Sequence, residues 1–303
     1  MADVFVGAYA SAPSLTGWDA AAERTYLDAV LALPGVRGLE LPWPGRLHAH
    51  DPGWLLAWLP PQIELVVSDI GHTVTSLAGD AGFGLASRDA AGRARAIADT
   101  ARLRDDVATL AARARVVAVE LHSAPLASAG DAGALHASLA EVATWDWSGA
   151  DLVIEHCDTL VEGQHPEKGY LALDDEIAAV AGTPVGLSMN WGRSAIELRD
   201  GDAVAAQIAR AYASGLLRGL VLSGASAVEN TYGPAWEDNH PPFAPVEGSS
   251  LLTVARGRDA LLAAGDLDWL ALKTGLRPLD APVAVKVDAI ARQVEFVRGL
   301  AAA

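Results

Sequence analysis

Eight short apolar runs, separated by segments of helical periodicity, constrain this chain more than any other feature. They are Val4–Ala8, Val36–Leu41, Ile63–Val67, Val116–His122, Asp151–Glu155, Pro184–Met189, Leu217–Leu222 and Leu267–Leu272. Rich in Val, Ile and Leu and lacking strict alternation, they read as strands covered on both faces, the pattern of a parallel sheet. Between them, Arg88–Arg113 places Ile97, Leu103, Val107 and Leu110 on one face. Val285–Leu300 repeats Val287, Ile290, Val294 and Val297 at three- and four-residue spacing after Pro282, a residue suited to a first helical turn. Asp202–Ser214 runs up to Gly215, a natural stop just past a helix end. Eight strand–helix units in 303 residues predict an α/β fold, a (β/α)8 TIM barrel forming a single domain over residues 1–303, in preference to an open doubly wound sheet with fewer strands.

Composition fits a large buried core, with 51% hydrophobic residues and no Ser/Gly linker or charge run to mark a boundary. The first residues enter a strand with no basic region and long apolar stretch, and no segment offers about 18 uninterrupted apolar residues. A soluble, cytoplasmic protein with no membrane partner is expected. Cys157 is the sole cysteine, which rules out intrachain disulfides and a thiolate zinc cluster. A net charge of −16, from 22 basic and 38 acidic residues, is the wrong sign for neutralising phosphates, so no nucleic-acid partner is expected.

In a barrel, chemistry sits on the loops after the strands. Those positions carry Glu40-Leu41-Pro42-Trp43 at the end of the second run, Ser68-Asp69-Ile70-Gly71-His72 after the third, and Glu120-Leu121-His122 at the end of the fourth. The fifth delivers Glu155-His156-Cys157-Asp158, the sixth Asn190-Trp191-Gly192-Arg193, the seventh Ser223-Gly224 and the eighth Lys273. Glu155, after Leu152-Val153-Ile154, is aimed into a pocket where an ionised carboxylate requires a partner. His156 follows it directly and points to the opposite side of its strand, so one of the two has a structural role. Glu40 reads equally well as a salt-bridge partner in the barrel mouth. A long loop at about 226–249, clearest in Glu229–Gly248, holds Trp236 and Asp238-Asn239-His240-Pro241-Pro242 and finishes with Glu247-Gly248-Ser249-Ser250 at an expected helix start. Its length points to function, and its aromatics and prolines to order. Asp238 and His240, two apart in extended chain, project from one side; they share a metal or a substrate hydroxyl, or simply pin the loop.

The order of these strand-end residues resembles the xylose-isomerase-like barrel superfamily, which includes sugar isomerases, sugar epimerases and endonuclease-IV-type enzymes, and within it a divergent branch of unassigned function. The features that carry the resemblance are the Glu40, His122 and Val-Ile-Glu155 strands and the Asp238-Asn239-His240-Pro241-Pro242 to Glu247-Gly248 loop. Members typically hold a divalent ion with a Glu after strand five, an Asp and a His around strand six, a His near strand seven and a Glu after strand eight. Glu155 matches the first position; Asn190, Ser223 and Lys273 depart at the others, and an ammonium cannot ligate a cation. The resemblance implies a metal site (Mn, Zn or Co) either lost or rebuilt from Glu155, Asp238 and His240, with no nucleotide cofactor.

The activity it implies is that of a carbohydrate isomerase or epimerase moving a proton next to a carbonyl of a small, unphosphorylated sugar or sugar derivative. Glu155 or His122 is then the acid/base and Lys273 stabilises developing negative charge. Trp43, Trp191 and Trp236 are placed to stack on the sugar, Arg193 to clamp an anionic group, and Glu40, His72 and Asn190 to bind hydroxyls. The alternatives are a Schiff-base aldolase or lyase using Lys273, and a non-catalytic sugar-binding barrel. A homo-oligomer is the family expectation.

Overall fold

A computed structural model describes residues 3–301. The chain runs β1 (Val4–Gly7), α1 (Ala20–Leu31), β2 (Val36–Pro42), α2 (Pro52–Trp58), β3 (Glu64–Ser68), α3 (Ile70–Gly79), α4 (Ala90–Ala111), β4 (Arg115–Leu121) and α5 (Ala132–Val142). It continues through β5 (Asp151–Glu155), α6 (Leu173–Val180), β6 (Gly186–Asn190), α7 (Trp191–Leu198), α8 (Val204–Ala213), β7 (Leu217–Ser223), α9 (Val254–Ala264), β8 (Trp269–Lys273) and α10 (Val283–Ala301). The strands close into a parallel barrel in sequence order, the predicted (β/α)8 fold. No described helix is long and apolar enough to cross a membrane.

Several helices begin on an aspartate that immediately precedes them. Asp19, Asp51, Asp89 and Asp131 accept hydrogen bonds from first-turn N–H groups of α1, α2, α4 and α5, satisfying donors that have no partner within the helix. Asp69 occupies the same place before α3 but makes no such bond. Its carboxylate is committed elsewhere, as described below.

The chain divides into two compact units. The first comprises residues 1–41, 190–212 and 219–303, and the second 42–189 and 213–218. In the first, β1 pairs with both β2 and β8, and β7 pairs with β8 over Gly219–Ser223. Its core includes Phe5, Val6, Leu39, Tyr26, Leu220, Leu272, Ile290 and Val294. Lys286 of α10, buried among them, donates to the carbonyls of Ser11 and Leu279 and so ties the segments after β1 and β8. Gly224 follows β7 because only a bare Cα fits: a Cβ there would lie 2.0 Å from the Pro241 carbonyl oxygen.

In the second unit β3 pairs with β4, β4 with β5, and β5 with β6. Val66, Val119, Ile154 and Leu187 are wholly buried. Cys157, just past β5, is also wholly buried, packed with Ala124 and Tyr170.

One expected boundary shifts. The residues Glu247-Gly248-Ser249-Ser250 do not start a helix; α9 begins at Val254, capped by the Thr253 hydroxyl. Glu247 instead accepts from the backbone and hydroxyl of Ser249, a local turn that competes with helix initiation.

Candidate functional site

In the second unit, three adjacent strands deliver three complementary groups. Asp69 follows β3, His122 follows β4, and Glu155 ends β5. Parallel neighbours in register bring these strand ends side by side. His122 Nδ1 lies 2.6 Å from Asp69 Oδ1, and its Nε2 lies 2.9 Å from Glu155 Oε2. The side chains of His122 and Glu155 are fully shielded from solvent, and that of Asp69 is 10% exposed. Burial alone would drive the His122 imidazole toward its neutral form. The hydrogen bonds and charges of Asp69 and then Glu155 outweigh burial, so its pKa stands above the ordinary histidine value. The shift favours the protonated ring, which is hydrogen-bonded at both nitrogens. Asp69 forgoes the helix-capping bond that the other aspartates make, a bond worth about 1 kcal/mol, and turns to His122 instead.

His156 points the other way. Its Nδ1 is 2.7 Å from Glu176 Oε2 on α6, and Ser123 donates to the other oxygen of the same carboxylate. All three are buried and tie a strand to a helix, so Glu155 is the member of the pair turned toward His122 and His156 the member turned toward α6.

His72, expected among the substrate contacts, lies on α3 with Nε2 2.6 Å from Asp99 Oδ2 and its side chain 14% exposed. Trp43 stands edge-on to it at 4.7 Å and donates its indole N–H to Asp106. With 3% of its surface accessible, Trp43 packs inward in this structure. The cause is local, since the chain turns inward after β2 and Trp43 bonds through its backbone to Ser68.

In the first unit, Lys273 ends β8 with its ammonium 2.7 Å from Glu40 Oε1, and both side chains are wholly buried. Tyr9 donates to the same oxygen at 2.9 Å, and the ammonium lies 5.4 Å from the centre of its ring. Glu40 is thus the salt-bridge partner that its sequence position allowed. Asn190 caps α7 and accepts from Ser223 at 2.8 Å. Arg193, 1% exposed, bonds to Asp238 at 3.1 Å, and Asp238 lies 3.2 Å from His240 Nδ1. Trp191 is wholly buried. Trp236 keeps partial exposure but carries the Arg199 guanidinium over its ring at 5.0 Å.

The long loop is pinned rather than loose. Trp236 N–H donates to Ser226, Gly275 N–H to His240, and Phe243 N–H to the Gln293 side chain. Trp236 and His240 sit at φ +65° and +49°, left-handed backbone that a side chain disfavours. Strain of this kind persists only where surrounding contacts fix it, and it concentrates at functional sites. The expected extended geometry of Asp238-Asn239-His240 is therefore replaced by a kink that turns His240 back onto Asp238.

The residues present do not fit the divalent ion of the resembled barrels. Among the described residues no group of three His, Cys, Asp or Glu side chains is arranged to hold a metal. Of the rebuilt set, Asp238 and His240 meet each other, but Asp238 is committed to Arg193 and Glu155 to His122. Where those barrels carry a carboxylate after strand eight, this chain has a buried ammonium already matched to Glu40. Glu155 and the Asp238–His240 pair thus each have polar partners of their own in this structure.

Sequence reasoning did not single out Asp69, Glu176, Asp99 or Tyr9 as site residues. Asp69 and Tyr9 carried a signal, lying one and two residues past a strand end; Asp99 and Glu176 sit inside helices and carried none.

A family model described as "Domain of unknown function (DUF4862)" matches residues 5–289. A Salmonella typhimurium (strain LT2) protein, "Uncharacterized protein STM3670", is 36% identical over 265 residues, 86% of this chain and 84% of that one. Among solved structures, D-allulose 3-epimerase from Methylomonas sp. superposes with a TM-score of 0.58 at 14% identity, over 99% of this chain and 100% of that one. Endonuclease IV from Thermus thermophilus gives 0.53 at 15% identity, over 90% and 94%. The shared feature at these identities is the (β/α)8 barrel fold, carried in these two structures by a D-allulose 3-epimerase and an endonuclease IV.

Proposed function

This chain belongs to the DUF4862 family, and we propose that it is an enzyme of the isomerase or epimerase type, moving a proton next to the carbonyl of a small sugar or sugar derivative. The observation that carries the reading is His122 held between Asp69 and Glu155 out of contact with water. Proton transfer beside a carbonyl requires a base to take the carbon-bound proton and an acid to return it. A carboxylate hydrogen-bonded to an imidazolium supplies both: Glu155 accepts the proton, and His122 carries the charge that keeps the ionised carboxylate stable in a buried place. Asp69 fixes the ring by its second nitrogen, the orienting role of a third group in such constellations. The acidic balance of the chain, with 38 acidic against 22 basic residues, argues for a neutral small molecule over a nucleic acid.

The test is exchange of substrate protons with solvent. A panel of aldoses, ketoses and their acids, incubated with the protein in D2O and followed by NMR, is expected to contain a compound that takes up deuterium at the carbon next to its carbonyl. Glu155→Gln should lower the uptake by about 100-fold or more. A panel with no deuterium uptake, or uptake undiminished in the variant, overturns the reading.

A second reading is carried by Lys273, wholly buried against a carboxylate. Such an amine serves as an imine-forming nucleophile in aldolase-type barrels, or as a fixed positive charge for a developing oxyanion. Borohydride added with carbonyl sugars separates the two, because only the imine leaves a covalent adduct on Lys273.

A further inference from the structure

We infer that His72 and Asp99 form the outer end of a proton path between solvent and the buried His122–Glu155 pair, connected through a one-water cavity beside Asp69. The inference rests on the acid/base reading above. No atom of the His122 or Glu155 side chain meets solvent, yet groups that give and take protons at a carbon must re-equilibrate with water for the label exchange described above to occur.

One route is built into the second unit. A cavity of about 10 Å³ is lined by Asp69, His72, Asp99 and His122, with Phe83 and Ala96 among the apolar walls. That is about the room one water centre needs, and the polar lining provides the two to four partners such a water requires. Asp69 and His72 stand three residues apart at the start of α3, a spacing that puts them on neighbouring positions of one helix face. Beyond the cavity, His72 Nε2 meets Asp99 Oδ2 at 2.6 Å, and Asp99 Oδ1 meets Arg102 at 2.7 Å. Accessibility rises outward along the series, from none at His122 to 10% at Asp69, 14% at His72, 23% at Asp99 and 57% at Arg102.

The transfer conserves charge at every step. The Nδ1 proton of His122 passes to Asp69 Oδ1, leaving neutral imidazole and a carboxylic acid. Asp69 then gives a proton to the cavity water as that water gives one to the His72 ring. His72 releases its Nε2 proton to Asp99, which passes it to bulk water. One proton has left the buried pair, Asp69 and Asp99 are carboxylates again, and the reverse sequence recharges His122.

The experiment reads His122 directly, without substrate. With ¹⁵N-histidine-labelled protein, saturation transfer from water gives the exchange rate of the His122 ring N–H protons. In Asp99→Asn, an isosteric change on a part-exposed helix residue, and in His72→Phe, the rate is expected to fall at least about tenfold, since a relay group within one water of the proton is lost. Ala96→Val, which fills the cavity and leaves every titratable group in place, should slow it as well. An unchanged rate in Asp99→Asn or in Ala96→Val overturns the path, because His122 must then exchange by another opening. Failure of the proposed sugar chemistry would appear as absent deuterium uptake with these exchange rates still sensitive to the variants, so the two failures are distinguishable.

Discussion

Replacing Lys273 by methionine should destabilise the protein strongly, and replacing Glu40 at the same time should restore most of the loss. Both side chains are wholly buried, and the ammonium is the cation placed against Glu40, at 2.7 Å, with the Tyr9 hydroxyl as the other neighbour on the same oxygen. Lys273→Met leaves a carboxylate in the interior with a neutral donor in place of a charge. Removing one member of a buried pair costs about 3–5 kcal/mol, most of it the unmatched charge. With an unfolding entropy of about 2.1 cal/mol/K per residue, that lowers the calorimetric midpoint by about 5–8 °C for a chain of this length. Glu40→Gln keeps an acceptor for Tyr9 and removes the charge, so Lys273→Met with Glu40→Gln should return to within about 1 kcal/mol of wild type, as neutral replacements of buried pairs commonly do. Scanning calorimetry on the four members of the cycle measures the coupling. A double variant no more stable than Lys273→Met alone would refute the reasoning, since the loss would then come from packing around the lysine stem.

The raised pKa of His122 sets the direction of a pH effect. A group whose folded pKa exceeds its unfolded value contributes stability that is complete below the unfolded pKa and is lost as pH rises through the folded one. Urea midpoints of wild type against His122→Asn should therefore converge as pH rises above the ordinary histidine range; a gap that widens with pH would contradict the assignment. Glu155→Gln should lower any deuterium uptake by about 100-fold or more, the scale of a lost general base, and retention of activity would remove Glu155 from the chemistry. Gly224→Ala should cost more than about 1 kcal/mol by pushing a Cβ into the Pro241 carbonyl and displacing the long loop, which limited proteolysis of residues 226–249 would detect.

The barrel was legible because its strands announce themselves as β-branched and leucine-rich runs at regular intervals, and Asp151–Glu155 was located to the residue. Other strand limits moved by one or two positions where the apolar run continues into the polar residue that ends the strand, as at Ser223 and Lys273. The candidacy of Glu155 and His122 could be read from single strand ends. Their direct pairing, with Asp69 on the other nitrogen of His122, could not, since it depends on the register of β3, β4 and β5 rather than on any local pattern. The orientation of the tryptophans was not legible for a related reason: a large aromatic after a strand looks alike in sequence whether it faces outward or, as at Trp43 and Trp191, packs inward. Asp238 and His240 were paired correctly in space but for the wrong geometry, because left-handed backbone at a histidine leaves no trace in composition.

The burial of Cys157 turns the unmutated chain into its own conformational clock. No second thiol exists to confuse the signal, and the sulfur sits two residues from Glu155 with no accessible surface. A chromogenic thiol reagent can react only when this neighbourhood opens, so the rate of colour development at saturating reagent reports how often the second unit breathes. Any ligand that settles onto Glu155 or His122 would register as a slower clock, even before its chemistry is known.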